Sequence, residues 1–127
     1  MTSDKKFVSY KELDIWKRSY KFSLDVIKLT AKLPRTVYFD IIIKQIIRSA
    51  TSISANIAEG SGAYQGKEFI LYINIARKSA IETDYWLNLI RDLHTKEELE
   101  IKRLIKECDE IIRILSAIIL KIKYNKK

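Results

Sequence analysis

Hydrophobic residues recur at three- and four-residue spacing along most of the chain, and this pattern predicts helices rather than strands. The predicted helices cover about 10–33, 37–60, 67–93 and 96–124. Three glycines and one proline leave few turn signals for an all-β fold. We therefore expect an all-α protein: one domain over 1–127, folded as an antiparallel up-down four-helix bundle.

The predicted breaks between helices rest on a few residues with clear backbone preferences. Pro34 disfavours helical geometry at the residue before it, so the first helix should end there. Gly60 and Gly62 are placed to end the second helix in the left-handed conformation. Thr95 as N-cap, with Glu98 three positions later, forms a capping box that should begin the fourth helix.

Helix 3 carries more apolar surface than one covered face needs, and helix 1 has a wide apolar face. On helix 3 the core register is accompanied by two further apolar rows, and helix 1 carries two adjacent stripes. A helix that is apolar nearly all round is expected to be buried nearly all round. We therefore expect each chain to be the protomer of a ring-like homo-oligomer. The rows on helix 3 are Phe69, Ile73, Ala76, Ala80, Thr83, Leu87, Ile90; Leu71, Ile75, Trp86, Leu89, Leu93; and Ile70, Ile81, Tyr85. The stripes on helix 1 are Leu13, Trp16, Tyr20, Leu24, Ile27; and Ile15, Phe22, Val26, Leu29, Leu33.

The second helix differs from the others because small and polar residues gather on one of its sides. Ser and Asn are unusual on an exposed helix face, since their side chains compete for backbone hydrogen bonds. A packing motif and a ligand site both fit this pattern. We favour packing, because buried polar groups are generally hydrogen-bonded for structural reasons. The expected motif residues are Gln45, Arg48, Ser52, Asn56, Glu59 and Gly60, and Arg48, Asn56 and Glu59 should pair with helix ends or neighbouring helices.

The net charge of +8 comes from 24 Lys and Arg against 16 Asp and Glu. Segments 1–36 and 95–127 hold the excess, while 37–64 and 65–94 are each balanced. Such a charge favours anionic partners, nucleic acid first. The candidate contacts are a basic ridge on helix 1 and the basic C-terminal end: Lys11, Arg18, Lys21, Lys28, Lys32, Lys121 and Lys123. The ridge also contains Asp14 and Asp25, placed for i,i+4 pairing, so a solvated helix face is the alternative interpretation.

The residue types that catalysis and metal binding require are scarce. His94 is the only histidine, with no Glu three residues before it, so the Glu-x-x-His pairs of di-iron bundles are absent. Zinc motifs need more Cys and His than the chain has. Cys108 lies on an apolar stripe and is expected to be a buried, inert thiol. We expect no enzyme activity, no catalytic residues, no metal and no cofactor.

Neither a membrane span nor a signal peptide is predicted. No apolar run approaches the roughly 20 residues that cross a bilayer, and the first residues lack an apolar segment. We expect a cytoplasmic protein without a membrane partner.

Several motifs resemble the bacterial four-helix-bundle family of 23S rRNA intervening sequences, which is related in fold to the accessory variability proteins of diversity-generating retroelements. The most specific is Asn-Ile-Ala-Glu-Gly at 56–60. The resemblance extends over about 13–93, and its residues are Leu13, Ile15, Trp16, Pro34, Gln45, Arg48, Ala50, Ser52, Ile53, Phe69, Ala76, Arg77, Ser79 and Glu82. It implies a basic, non-enzymatic homopentamer with suspected RNA or DNA binding.

The chain departs from the family pattern at four positions. Ile47 replaces a frequent basic residue, Ala63 an arginine, Gln65 a serine and Lys78 a glycine. If the missing basic residues contact a ligand or polymer in the family, that contact is weakened here. The hypotheses are therefore nucleic-acid binding through backbone phosphates, or a protein-interaction scaffold or accessory subunit whose partner is another protein.

Overall fold

The computed structural model describes residues 9–62, 66–94 and 96–125. Over these ranges the chain forms four long helices and no strand: α1 (Asp14–Thr30), α2 (Val37–Ser61), α3 (Gly66–Leu93) and α4 (Glu98–Asn125). Helix α1 packs against α2 and α4, and α3 packs against the same two helices. The protein is therefore an all-α four-helix bundle in which α1 and α3 lie diagonally opposite each other.

Contacts between two neighbouring helices occur in opposite sequence order along the two helices. On α2, Ser49 contacts Thr83 and Ser52 contacts Ser79 of α3. On α1, Arg18 contacts residues 107 and 110 of α4, whereas residue 25 contacts Arg103. Residue numbers thus rise on one helix as they fall on the other, as in antiparallel neighbours.

The first helix begins later than the hydrophobic pattern predicts. Residues Tyr10–Glu12 form a single 3-10 turn, capped by Ser9, whose Oγ accepts a hydrogen bond from the Lys11 amide at 3.2 Å. Leu13 then has extended backbone angles, and its side chain packs against the core. The extended residue breaks the helix, so the prediction of one helix from 10 is corrected to a turn followed by α1.

The end of α1 and the start of α2 follow from local capping. Lys32 and Leu33 amides bond to carbonyls three residues earlier, which tightens the chain into a turn before Pro34. The predicted end at 33 is therefore corrected to Thr30. Thr36 caps α2, since its Oγ1 accepts a hydrogen bond from the Phe39 amide at 3.2 Å.

The glycines at the end of α2 do not take the predicted left-handed conformation. Gly60 lies inside the helix, and Gly62, the C-cap, has φ −69° and ψ −26°. Gly60 instead provides space, because a Cβ atom there would lie 2.8 Å from the Cβ of Tyr72 on α3. This close approach agrees with the packing expected of the small residues on this helix, whereas the predicted left-handed helix end is wrong.

The fourth helix begins at Glu98, two residues after the predicted position. Lys96 and Glu97 form a turn, and Glu97 has a positive φ of 56°, which is incompatible with continuing the helix. His94 Nε2 and Glu97 Oε1 lie 2.7 Å apart across this turn. The predicted N-cap, Thr95, lies outside the described residues.

The core contains buried rows of α2 and α4, the predicted core register of α3 and only one of the two apolar stripes predicted for helix 1. Ile46, Ile53, Ala76, Leu87 and Leu104 are completely buried. From the second predicted stripe, Phe22, Val26 and Leu29 of α1 and Leu33 of the turn after it are buried in the core. In the first stripe, Tyr20, Leu24 and Ile27 are exposed.

Candidate nucleic-acid interface

Arg18, a candidate phosphate contact, is bound to carboxylates of α4. Its Nε donates to Glu107 Oε2 at 2.7 Å and its Nη2 to Glu107 Oε1 at 3.0 Å, and Nη2 also donates to Glu110. The hydrogen bonds to Glu107, and then those to Glu110, raise the pKa of Arg18 above its ordinary value. Its charge holds α1 to α4, and the predicted pairing with Asp14 is wrong.

Lys21 is neutralised within a second charged cluster between the same helices. Its Nζ contacts Asp25 at 3.0 Å, which confirms the predicted i,i+4 pair. Asp25 also accepts from Arg103 at 3.1 Å, and Arg103 in turn binds Glu100. Burial raises the pKa of Asp25, but the hydrogen bonds from Lys21 and Arg103 outweigh burial, so the pKa is lowered.

The other five candidate contacts are exposed lysines that pair with no carboxylate in the described part of the chain: Lys11, Lys28, Lys32, Lys121 and Lys123. Lys32 lies close enough to Glu100 for its charge to lower that group's pKa, a smaller effect than the hydrogen bond from Arg103. These lysines are available to contact phosphates.

The available lysines do not form one patch. Asp25 contacts Arg103 near the start of α4, and Lys28 and Lys32 follow Asp25 in the chain, so these two lysines lie beside the start of α4. Lys121 and Lys123 lie at the other end of α4. At 1.5 Å per residue the two groups are separated by about 30 Å along α4. Lys28 with Lys32, and Lys121 with Lys123, therefore form two separate basic regions.

The polar motif of α2 faces α3. Arg48 binds Glu82 of α3 and, at 3.2 Å, Gln45 of its own helix. Ser52 Oγ lies 3.0 Å from Ser79 Oγ, and Gly60 gives Tyr72 room to approach. These contacts support the packing interpretation.

Two members of the motif behave differently from the prediction. Asn56 Nδ2 donates to the carbonyl and Oγ of Ser52, so it pairs within its own helix. The Glu59 side chain is exposed and forms no hydrogen bond or ion pair with another described residue. Its side chain is available to a partner on the outside of the bundle.

The structure adds two polar contacts that the sequence did not predict. The Ser49 and Thr83 hydroxyls, both buried, lie 2.8 Å apart, and Thr83 donates to the Ser79 carbonyl. Glu82 accepts from Trp86 Nε1 at 3.0 Å as well as from Arg48. A polar ladder therefore joins α2 to α3 through Ser49, Ser52, Thr83 and Ser79.

Arg77 is the basic residue that the charge analysis missed. It lies in a cleft between α3 and α4, where its Nε donates to Ser116 Oγ at 3.0 Å and its Nη1 to Asn74 Oδ1 at 3.4 Å. No carboxylate of the described residues pairs with it. One sequence signal was available: residues 69–81 and 111–127 contain no Asp or Glu.

The groups most often used in catalysis have structural roles. Cys108 is buried and its Sγ donates to the Ala80 carbonyl at 3.1 Å, while burial, and then the negative charge of Asp84, raise the pKa of the thiol. His94 packs against the Phe39 ring. No cluster of His, Cys, Asp and Glu suited to a metal ion occurs in the described ranges. None of the helices within those ranges is long and apolar enough to cross a membrane.

Fold and surface together define a basic four-helix bundle whose polar motif ties α2 to α3. Residues 11–117 match the family model described as 23S rRNA-intervening sequence protein, and the chain belongs to this family. Gly60, the last residue of the Asn-Ile-Ala-Glu-Gly motif that suggested this family, lies at the contact between α2 and α3.

A solved structure from Bacteroides thetaiotaomicron VPI-5482 shares this fold. It is a protein of unknown function from the S23 ribosomal protein family, 32% identical, with a TM-score of 0.73. The alignment covers 83% of this chain and 97% of that chain. No match was found among curated protein sequences.

Proposed function

We propose that the chain is a non-enzymatic, cytoplasmic, homo-oligomeric bundle that binds RNA or DNA through backbone phosphates. The observation that carries the proposal is the set of exposed lysines without carboxylate partners at both ends of α4, in a protein of net charge +8. Lysine and arginine contacts to phosphates release counterions, and this release favours binding independently of base sequence.

The available cations define which contacts the proposal uses. Lys28 and Lys32 form one region, and Lys121 and Lys123 the other, whereas Arg18 and Lys21 are neutralised by α4 carboxylates and Asp25. A nucleic-acid backbone that contacts both regions must span about 30 Å. This is the axial length of roughly nine base pairs of duplex at 3.4 Å per pair. An oligonucleotide of at least that length is therefore the appropriate ligand.

A salt titration tests the proposal. For a 20-nucleotide RNA and for duplex DNA of the same length, the logarithm of the binding constant should fall linearly with the logarithm of the salt concentration, with a slope of about −0.7 to −0.9 per phosphate contact. The double substitution Lys28→Gln and Lys32→Gln should make the slope shallower by about 1.4 to 1.8.

The matched control is Lys102→Gln with Arg113→Gln, which removes the same charge from side chains already paired with Glu98 and Asp109. It should leave the slope unchanged. Absence of binding to both RNA and duplex DNA at low salt would refute the proposal.

Self-association is proposed on a separate observation. Exposed apolar side chains lie on α1, at Tyr20, Leu24 and Ile27, and on α3, at Leu71, Ile75, Ile81 and Tyr85. Because α1 and α3 are diagonal in the bundle, these two faces point in different directions. If the α1 face of one copy covers the α3 face of the next, the contact is heterologous, and such contacts form a ring when the rotation between copies closes. Five copies are expected from the family resemblance.

Complementation of two variants tests this arrangement. Substituting Leu24 and Ile27 by Ser disables the α1 face, and substituting Ile75 and Tyr85 by Ser disables the α3 face. Each variant alone should be monomeric in light scattering, while a 1:1 mixture should form a heterodimer through the two intact faces. A monomeric wild-type protein at micromolar concentration would exclude self-association.

The second candidate function is a protein-interaction scaffold. It is favoured by exposed apolar residues at the end of the bundle where Phe39 meets His94: Val37, Tyr38, Leu93 and Leu99. Capture of a single stoichiometric protein partner, insensitive to nuclease, would favour this function over nucleic-acid binding. Loss of that capture on Leu99→Ser, with a full salt-dependent affinity for RNA, would show that the two activities use different surfaces.

A further inference from the structure

Arg77 differs from every other arginine in the protein in its partners. Six of the seven arginines contact a carboxylate: Arg18, Arg35, Arg48, Arg91, Arg103 and Arg113. Within residues 9–62, 66–94 and 96–125, Arg77 contacts only neutral oxygens, those of Ser116 and Asn74. The guanidinium is thus held in a fixed orientation without being neutralised.

The surroundings of Arg77 form a cleft rather than a flat surface. It has a volume of 310 Å³ and is lined by Asn74, Arg77, Ser116, Ile119, Leu120 and Lys123. Two of these side chains are cationic and none is acidic. Arg77 is half-buried between α3 and α4, and Lys123 is exposed with no ion pair in the described part of the chain.

A second cleft that contains basic residues has the opposite character. It lies between α1 and α4, has a volume of 190 Å³, and combines Arg18, Lys21 and Arg103 with Asp25 and Glu107. Its cations bind its own carboxylates, so an anion entering it would meet negative charge. The residues that line the Arg77 cleft include no carboxylate that would compete with an incoming anion.

We propose that this cleft is an anion site that holds a backbone phosphate of the bound nucleic acid. This inference rests on the proposed function. The planar guanidinium suits the oxygens of a phosphate, and Ser116 and Asn74 orient it. Lys123 supplies a second, mobile positive charge at the rim. The absence of Asp and Glu from 69–81 and 111–127 keeps the potential positive along both walls.

The size and the apolar wall of the cleft indicate what else is bound beside the phosphate. A volume of 310 Å³ reaches the range of small-molecule pockets and exceeds the space that a phosphate group alone needs. Ile119 and the exposed Leu120 provide an apolar surface next to the cations. A nucleotide unit matches both parts of the cleft. Its anionic phosphate suits Arg77, and its sugar and base suit the apolar wall formed by Ile119 and Leu120.

The direct test observes the Arg77 side chain in the wild-type protein. Nitrogen-proton NMR signals of the arginine Nε groups should be recorded during titration with inorganic phosphate and then with a 20-nucleotide RNA. The Arg77 signal should shift with both ligands, and the Arg113 signal should not. An Arg77 signal that stays unchanged in the presence of bound RNA would overturn the proposal.

The second test compares two substitutions that remove equal charge. Arg77→Gln should make the salt slope for RNA shallower by about 0.7 to 0.9, the value of one phosphate neutralised by one cation, whereas Arg113→Gln should leave it unchanged. Arg77→Lys, which retains the charge, should retain most of the slope and controls for damage to the fold. Equal slopes for Arg77→Gln and Arg113→Gln would overturn the phosphate contact.

Failure of this inference and failure of the proposed function give different results. If the wild-type protein binds RNA and Arg77→Gln behaves like Arg113→Gln, the cleft is not a phosphate site and nucleic-acid binding stands. If the wild-type protein binds neither RNA nor DNA at low salt, the function itself fails and the backbone-phosphate assignment fails with it. A phosphate-dependent shift of Arg77 in that second case would leave only a site for a free anion.

Discussion

Gly60 of α2 lies so close to Tyr72 of α3 that a Cβ atom added at Gly60 would be 2.8 Å from the Tyr72 Cβ. The Tyr72 Cβ is fixed to the α3 backbone, so rotation of the tyrosine ring cannot relieve the overlap. The backbones of α2 and α3 therefore fix the distance between these two Cβ positions. A side chain at 60 would push α2 and α3 apart at this end of the bundle.

Gly60→Ala should therefore destabilise the protein although alanine favours helices. The gain in helix propensity is about 1 kcal/mol, and overpacking between helices costs about 1 to 3 kcal/mol. We expect a net loss of up to about 2 kcal/mol in the free energy of unfolding, measured by urea denaturation.

Gly62 provides the matched control. A Cβ there would lie 3.5 Å from the Glu59 carbonyl oxygen, an ordinary contact, and the backbone of Gly62 is right-handed helical. Gly62→Ala should be neutral or slightly stabilising. Equal stability of the two alanine variants would show that α2 and α3 do not need this close approach.

The buried hydroxyls of Ser49 and Thr83 predict a measurable coupling between α2 and α3. The two oxygens are 2.8 Å apart, and both side chains are completely buried. In a double-mutant cycle with Ser49→Ala and Thr83→Val, the coupling free energy should be about 0.5 to 1.5 kcal/mol. Thr51 bonds only to carbonyls of its own helix, so Thr51→Ala should show no coupling with Thr83→Val.

The periodicity of the apolar residues was sufficient to predict the helices and most of the core. In α3 the buried row coincides with the predicted core register, although two further apolar rows accompany it. In α1 two stripes compete, and periodicity alone does not decide between them. The structure buries Phe22 and Val26 and leaves Tyr20 and Leu24 exposed.

The charged surface was less predictable, since ion pairs depend on which helices are neighbours. Asp14 lies four residues before Arg18, and the sequence favours that local pair. The bundle instead brings Glu107 of α4, 89 residues away, to Arg18. For Arg77 the absence of Asp and Glu from 69–81 excludes a local partner in the sequence, but its lack of a carboxylate partner from another helix follows from the packing of α3 on α4.

Arg18 and Lys28, both candidate phosphate contacts on α1, should respond differently to substitution. Arg18→Gln leaves Glu107 and Glu110 without their cation, and should cost about 1 kcal/mol of stability. Lys28→Gln breaks no ion pair among described residues and should leave stability unchanged. In RNA binding we expect the opposite order of effects: Lys28→Gln should make the salt slope shallower, and Arg18→Gln should leave it unchanged. Equal slope changes for both variants would show that Arg18 leaves its carboxylates to bind phosphate.

The low pKa of Asp25 predicts that the contact between α1 and α4 weakens in acid. Burial acts against the charged form, but Lys21 and Arg103 stabilise it more, so the folded-state pKa lies below the unfolded value of about 3.9. The stabilisation is therefore complete above about pH 4 and is lost as the pH falls through the folded-state pKa.

Asp25→Asn removes this contribution and should lower the free energy of unfolding near pH 7 by about 1 kcal/mol. The difference from the wild type should shrink as the pH is lowered from 5 to 2, because protonation neutralises Asp25 in the wild type as well. Urea denaturation at each pH measures it, and Asp14→Asn, at an exposed position of the same helix, controls for the loss of a carboxylate. A constant difference between wild type and Asp25→Asn over this range would mean that hydrogen bonding geometry, and not the charge of Asp25, joins α1 to Arg103.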